Sequence, residues 1–211
     1  RSHLLGEQRG DDAWFSALES VLAETAVAVT AARQSLIRAL NEEAAKGWFG
    51  FPGVKLLLAG EMESWLSQMP ALEAEEQFML AARTARLNGD VTMPGPHVSE
   101  FQALHLSSQT PANLSSTGQQ KAMLIAVILA HARLQDRRLG RVPLMLFDDV
   151  AAHLDAQRRA ALFEAVRSLG GQCWFSGTDR EQFNELTKTA QFVKILPAKS
   201  AGQTPVFEVI E

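Results

Sequence analysis

Two adjacent carboxylates, Asp148 and Asp149, close the stretch LMLFDDV, in which four continuously apolar residues, Leu144 to Phe147, run straight into charge. Such a run reads as a strand buried on both faces, and ligands in open α/β sheets bind at the carboxyl ends of such strands. Neighbouring strand positions point to opposite sides, so the two carboxylates are expected to divide the work. One can hold Mg2+, directly or through water, while the other polarises an attacking water. The plainer alternative is that both cap the helix that follows, which accounts for one aspartate but not for a pair. Further on, Asp155 follows His153 and Leu154 and stands where an amino-terminal cap of the helix AQRRAALF belongs.

A second candidate lies at LSSTGQQKAML, where Ser115, Ser116 and Thr117 precede Gly118 at the mouth of an apolar helix. One hydroxyl suffices to cap a helix. Backbone N–H groups and the helix dipole also favour an anion there, and hydroxyls add donors without bulk. A simple cap and a phosphate cradle both remain open on spacing alone. Gripping the β- and γ-phosphates of a nucleotide requires a loop of the form G-x-x-x-x-G-K-[ST]. None of the 14 glycines is followed by lysine. The sequence thus holds carboxylates and an anion-binding helix start without the gripping loop, and is expected not to build a complete nucleotide site by itself.

The elements around these residues fall into two textures. Asp11 and Asp12 signal a helix start, and no proline or glycine follows until Gly47. Within it, Phe15, Leu18, Leu22, Thr25, Val29, Ala32 and Leu36 alternate at spacings of 3 and 4, a seam for packing along one partner. GWFGFPG breaks the helix, VKLLLAG reads as a short strand, and a second helical region runs from Pro70 to Gly89. From Val91 the pattern changes: VTMPGPH and EFQALHL are strand-like, a helix spans about Gly118 to Arg137, and LMLFDDV is the buried strand. The following helix ends at Gly170-Gly171. QCWFSG is another buried strand, DREQFNEL a short helix, and QFVKIL and PVFEVI close the chain. The expected organisation is a helical region over 1–90 and an α/β region over 91–211 with a mixed, largely parallel sheet.

Composition narrows the class. With 46% hydrophobic and 21% charged residues and a net charge of −4, the 211-residue chain is globular and has no global basic field. Arg133, Arg137, Arg138 and Arg141 form a local basic cluster and Arg158-Arg159 a second, each a solvated face or a phosphate contact. Cys173 alone cannot found a disulfide framework and reads as a core thiol in a reducing compartment. His97, His105, His131 and His153 have no metal-ligand spacing. The longest apolar run, Ala122 to Ala130, is far short of the ~20 residues of a membrane span, so no membrane is expected. A start at Arg1 rather than methionine suggests a piece of a longer protein.

In this order and spacing, LSSTGQQKAML, PLMLFDDVAAHLD and FSGTD resemble the carboxyl-terminal half of the RecF family, bacterial DNA-repair ATPases related to the SMC and ABC ATPases. They match a signature motif, a Walker B strand, a D-loop and a switch. Gly95-Pro96-His97 resembles another hallmark of the family, and Asp11 to Asn88 its lever arm. The resemblance implies the signature, Walker B, D-loop and switch part of an ATPase head, joined to antiparallel arm helices. It also implies ATP and Mg2+ as cofactors and an ATP-dependent homodimer. In that dimer Ser116, Thr117, Gly118 and Gln119 would meet the γ-phosphate of a nucleotide held by the partner. Asp148 would order Mg2+, Asp149 would polarise the water, and Asp155 would cross the dimer interface. Thr178 and Asp179 would stand at the γ-phosphate sensor. Implied partners are single-strand–double-strand junction DNA, RecO and RecR, in loading RecA recombinase during gap repair and the SOS response in the bacterial cytoplasm, at the nucleoid.

Two departures accompany the resemblance. Val98, Ser99 and Glu100 follow the GPH stretch, where the family carries arginine and acidic residues, and the Walker A portion is absent from these residues. Two other readings remain at this point. One is another SMC-like ATPase head, which the shortness of the arm disfavours. The other is an inert interaction module that keeps the fold without hydrolysing ATP.

Overall fold

The computed structural model describes residues 12–90, 92–196 and 206–210; Asp11, half of the expected helix-start signal, lies outside them. The chain divides into two compact units, Arg1–Leu134 and Gln135–Glu211.

In the first unit, helix α1 spans Asp12–Ala44, and Asp12 in its first turn complements the helix dipole. A short helix α2 (Glu61–Gln68) and a longer α3 (Ala71–Leu87) pack against it. The core between them is built from Ala23, Ala26 and Val27 of α1, Met62 of α2, and Ala74, Phe78 and Ala82 of α3. This corrects the expected seam. Phe15 is buried, but Leu22, Thr25, Ala32 and Leu36 are exposed. Alanines on facing helices let the backbones approach, and Phe78 and Met62 then fill the space, so the small face turns inward. By length and composition α1 could cross a membrane, but a third of its apolar stretch is buried within the protein. Its buried positions include Glu19 and Glu43, a pattern that suits a core helix. Arg86 of α3 answers Glu19, with Nε 3.2 Å from Oε1; the same guanidinium pairs with Asp12 and lies 5.3 Å over the Phe15 ring.

Strands β1 (Val54–Ala59), β2 (Glu100–His105) and β3 (Thr110–Pro111) form an antiparallel sheet, with Val54 opposite His105 and Ala59 opposite Glu100. Thus β1, from the expected arm region, pairs along its full length with β2 from the expected α/β region. The other edge of β1 is closed by a side chain. Asn41 Nδ2 donates to Leu56 O at 2.9 Å, and Leu56 N–H donates to Asn41 Oδ1 at 2.7 Å, so the amide stands where a further strand would bind. Asn41→Leu should lower stability by about 1–3 kcal/mol, since Leu56 is almost wholly buried and both its backbone groups lose their partner. Urea unfolding monitored by circular dichroism reads this, and a loss under ~0.5 kcal/mol would contradict the edge-closing role.

Between α1 and β1, the chain turns at Gly47, whose φ is +60 and where a Cβ would lie 2.8 Å from Phe51 O. Trp48 and Phe51 exchange backbone hydrogen bonds across the tip. Arg133, on the helix α4 (Thr117–Leu139), reaches this corner. Its Nη2 donates to Glu43 O at 2.8 Å, Nε lies 3.4 Å from Glu43 Oε2, and its guanidinium stacks 4.6 Å from the Trp48 ring. Arg133 is therefore a packed structural cation, not part of a solvated face; burial lowers its pKa, and Glu43 opposes that shift. The expected strand at VTMPGPH is also not formed in residues 92–98, Val91 lying outside the described residues. Pro94 and Pro96 lack the N–H a ladder needs, and a turn closes from Val98 N–H to Gly95 O at 3.1 Å.

In the second unit, β4 (Met145–Phe147) and β5 (Cys173–Phe175) pair in parallel, joined by a 3-10 turn at Ala151–His153 and helix α5 (Ala156–Leu169). Their inner face packs Phe147, Phe163, Phe175 and Phe183; Phe147 and Phe175 stack at 5.0 Å and Phe163 meets Phe175 edge-on at 5.2 Å. Strands β6 (Phe192–Leu196) and β7 (Val206–Ile210) form an antiparallel pair. The chain is α/β, with parallel pairing confined to β4 and β5 among the described residues. Nor is β4 buried on both faces: Met145 and Phe147 are buried, while Leu144 and Leu146 are 57% and 72% exposed beside Trp174. A continuous apolar run cannot distinguish one covered face from two.

Candidate carboxylate site at the end of the parallel strands

The parallel register of β4 and β5 places two sequence-distant loops at one sheet edge. One residue past β5, Ser176 N–H donates to Phe147 O at 2.9 Å, which extends the ladder to the point where the carboxylates begin. The Ser176 hydroxyl then donates to Asp148 Oδ1 and accepts the Asp149 N–H at 3.0 Å. Asp149 has φ +50, in the left-handed region, so the chain leaves the strand direction here. Its Oδ2 lies 3.6 Å from His153 Nε2 in the following turn. The two carboxylates are thus held separately, Asp148 by the end of β5 and Asp149 by the turn after β4.

Among the described residues no group of three or more His, Cys, Asp or Glu side chains converges on a point that could hold a metal ion. An ion at Asp148 would therefore draw most of its ligands from water and phosphate oxygens. That donor set suits Mg2+, which keeps several waters and binds through one or two carboxylates. Asp148 is exposed, and only its Oδ1 has a partner among the described residues, so the second oxygen is available.

Of the remaining candidates in this unit, Asp155 and Asp179 have local partners. Asp155 is the amino-terminal cap of α5, accepting Arg158 N–H at 2.8 Å, with Arg158 Nε 3.6 Å from its other oxygen. Asp179 caps the 3-10 segment Arg180–Leu186 by accepting Glu181 N–H at 2.9 Å, and Thr178 is exposed. Between Ser176 and Thr178, a Cβ on Gly177 would lie 2.7 Å from the Phe183 ring, so a larger residue there would displace that ring. Cys173 is half-buried, and burial pushes its thiol up to about 12 against the Trp174 N–H, which keeps it protonated at neutral pH.

Ser116, Thr117, Gly118 and Gln119 belong to the first unit and open α4. Ser116 and Gln119 form a capping box: Gln119 N–H donates to Ser116 Oγ at 3.3 Å and Ser116 N–H to Gln119 Oε1 at 3.0 Å. Ser115 Oγ donates to Pro111 O at 3.0 Å and ties down the turn before the helix. The Thr117 hydroxyl is exposed and has no partner among the described residues. Of the three hydroxyls, one caps, one braces the turn and one is left over at the helix mouth. The S-x-x-Q spacing is the local signal by which the box, not expected above, is recognised. The contact of His153 with Asp149 spans only four residues, whereas the bridging role of Ser176, 28 residues from Asp148, has no local signal.

No protein-family model matches the chain. Among curated proteins, the DNA replication and repair protein RecF of Mesorhizobium japonicum is 40% identical over 200 residues, covering 92% of this chain and 53% of the relative. That of Brucella abortus is 42% identical over 210 residues, covering 96% and 53%. The chain is a RecF homologue. It spans about half the length of the curated relatives it matches, consistent with a carboxyl-terminal portion of RecF. The solved structure of the recombination mediator protein RecF-ATPrS in the RecFOR pathway is similar, with a TM-score of 0.68 at 18% identity over 86% of this chain and 50% of that one. That of RecF-ATP gives 0.65 at 19% identity over 85% and 50%. The fold is accordingly that of these RecF structures, with mixed parallel and antiparallel sheet pieces.

Proposed function

We propose that this chain is the carboxyl-terminal part of a DNA replication and repair protein that binds ATP and DNA and hydrolyses the nucleotide as a homodimer. The observation that carries the reading is the divided carboxylate pair at the end of β4 and β5 in a chain 40% identical to a RecF protein. Bound Mg2+ would supply charge neutralisation at the phosphates. Asp148, its Oδ1 held by Ser176, presents the other oxygen to that ion. Asp149, turned out of the strand, accepts a proton from or orients a water at its carboxylate. In the partner direction, the free Thr117 hydroxyl and the capped α4 terminus of Ser116, Gly118 and Gln119 receive a γ-phosphate held by the other subunit. Asp155 lies at the subunit interface, and Thr178 and Asp179 sense the γ-phosphate.

In this reading 1–90 is the arm and 91–211 part of the head. The loop that grips the phosphates comes from outside the sequence given, and the chain alone does not turn over ATP. The uncovered face of Leu144, Leu146 and Trp174 supports completion by further chain, since a two-stranded sheet is marginal on its own. Exposed Arg138 and Arg141 are the DNA-phosphate contacts, and Arg133 is not. The preferred substrate is junction DNA at gaps, with RecO and RecR as partners in loading RecA, in the bacterial cytoplasm at the nucleoid and during the SOS response.

The full-length protein should bind a labelled gapped duplex at least about tenfold more tightly with ATP and Mg2+ than without nucleotide, read by fluorescence anisotropy at fixed salt. Equal binding in both conditions would remove the ATP-dependent clamp and leave the interaction module standing.

A further inference from the structure

We propose that Ser176 is a positioning residue of the carboxylate pair, whose single hydroxyl sets the side chain of Asp148 and the backbone of Asp149 from the end of β5. The inference rests on the hydrolytic reading of that pair given above. It names a residue outside the signature, the carboxylates and the sensor position.

Three observations carry it. First, the hydroxyl both donates and accepts: its proton goes to Asp148 Oδ1, and a lone pair accepts the Asp149 N–H at 3.0 Å. A serine hydroxyl has one proton, so donating to Asp148 fixes its rotor and orients the lone pair that meets Asp149. Second, Asp149 sits at φ +50, a conformation that a non-glycine residue keeps only when its surroundings hold it. Its N–H is held by Ser176, which makes the hydroxyl part of what stabilises that turn. Third, Ser176 is itself fixed on both sides. Its N–H is accepted by Phe147 O at 2.9 Å, and the next residue, Gly177, packs so closely on the Phe183 ring that a Cβ would lie 2.7 Å from it.

The consequence is a short connection. Thr178 and Asp179 lie two and three residues beyond Ser176, so a displacement of that segment reaches the Asp148 carboxylate and the Asp149 backbone through one oxygen atom. Groups that orient a metal-holding carboxylate typically change metal affinity or activity by about 10–100-fold when removed.

The test uses the full-length protein with Ser176→Ala, Ser176→Thr and Ser176→Cys. Affinity for Mn2+ in the presence of a non-hydrolysable ATP analogue is read by electron paramagnetic resonance, independently of turnover. Ser176→Ala should weaken Mn2+ binding about tenfold and lower kcat by about 10–100-fold, with KM for ATP and the thermal midpoint little changed. Ser176→Thr, which keeps the hydroxyl, should restore both. Should the alanine variant not fold, Ser176→Cys preserves size with a weaker donor and should still lose Mn2+ affinity. Wild-type Mn2+ affinity in the alanine or cysteine variant would overturn the proposal. So would a threonine variant as defective as the alanine. Wild-type turnover in Asp149→Asn would instead overturn the hydrolytic reading, while the Mn2+ comparison would still decide Ser176.

Discussion

Asp149→Asn is expected to lower ATP turnover of the full-length protein by about 100-fold or more while leaving nucleotide binding within about threefold of wild type. The substitution is nearly isosteric, and asparagine tolerates the left-handed backbone at this position as well as aspartate does. The Asp149 N–H therefore keeps its bond to the Ser176 hydroxyl, and the turn after β4 survives. What disappears is the negative charge to which the proposed function gives the orienting and polarising of a water, along with its contact to His153 at 3.6 Å. Asp148→Asn should behave differently: it removes the charge assigned to the ion, so nucleotide binding should lose its dependence on Mg2+. Single-turnover hydrolysis and binding of a non-hydrolysable analogue separate the two variants. Turnover within threefold of wild type in Asp149→Asn would rule out the catalytic role given to that carboxylate.

Arg86→Ala should cost about 3–5 kcal/mol in the first unit, because it takes the guanidinium away from a carboxylate in the interior. The Glu19 side chain is 4% exposed, and Arg86 Nε stands 3.2 Å from it, while the same guanidinium covers the Phe15 ring. The pair with Asp12 adds little, since that carboxylate is 92% exposed. The informative control is the double variant Glu19→Leu with Arg86→Met, which replaces the pair by apolar groups of similar bulk. It should recover most of the loss, as buried ion pairs are often no better than well-packed hydrophobic replacements. Urea unfolding reads both, and a single-variant loss under ~1 kcal/mol would show that Glu19 is held by its other contacts.

Much of the site was legible because its causes are local. The apolar run into Asp148 and Asp149 predicts a strand ending in carboxylates, and β4 ends at Phe147. Asp155 as the cap of α5, Gly170 as its left-handed end and the long span of α1 follow from neighbours within a few residues. Where expectation and structure part, the deciding contact is distant in sequence. The 3-and-4 spacing points to a seam from Phe15 to Leu36, whereas the alanines of α3 make the small face of Ala23, Ala26 and Val27 the closer fit. By sequence Arg133 belongs to a basic cluster that is either a solvated face or a phosphate contact, and its structural partner, Glu43, lies 90 residues away. EFQALHL falls in the region expected to form a mixed, largely parallel sheet, but its partner β1 runs antiparallel to it.

The carboxylate pair shows the same division at its smallest scale. Residue order by itself determined the chemistry available: two acids at a strand end, hydroxyls and glycine at a helix mouth, and no phosphate-gripping loop within these residues. Only the tertiary structure decided how those acids are held. Ser176 lies 28 residues from Asp148, and nothing within either segment indicates the other. Strand propensity and capping act over a turn or two of chain, whereas the parallel register of β4 and β5 arises from packing Phe147, Phe163 and Phe175 together. Once that register is set, one hydroxyl falls between two aspartates.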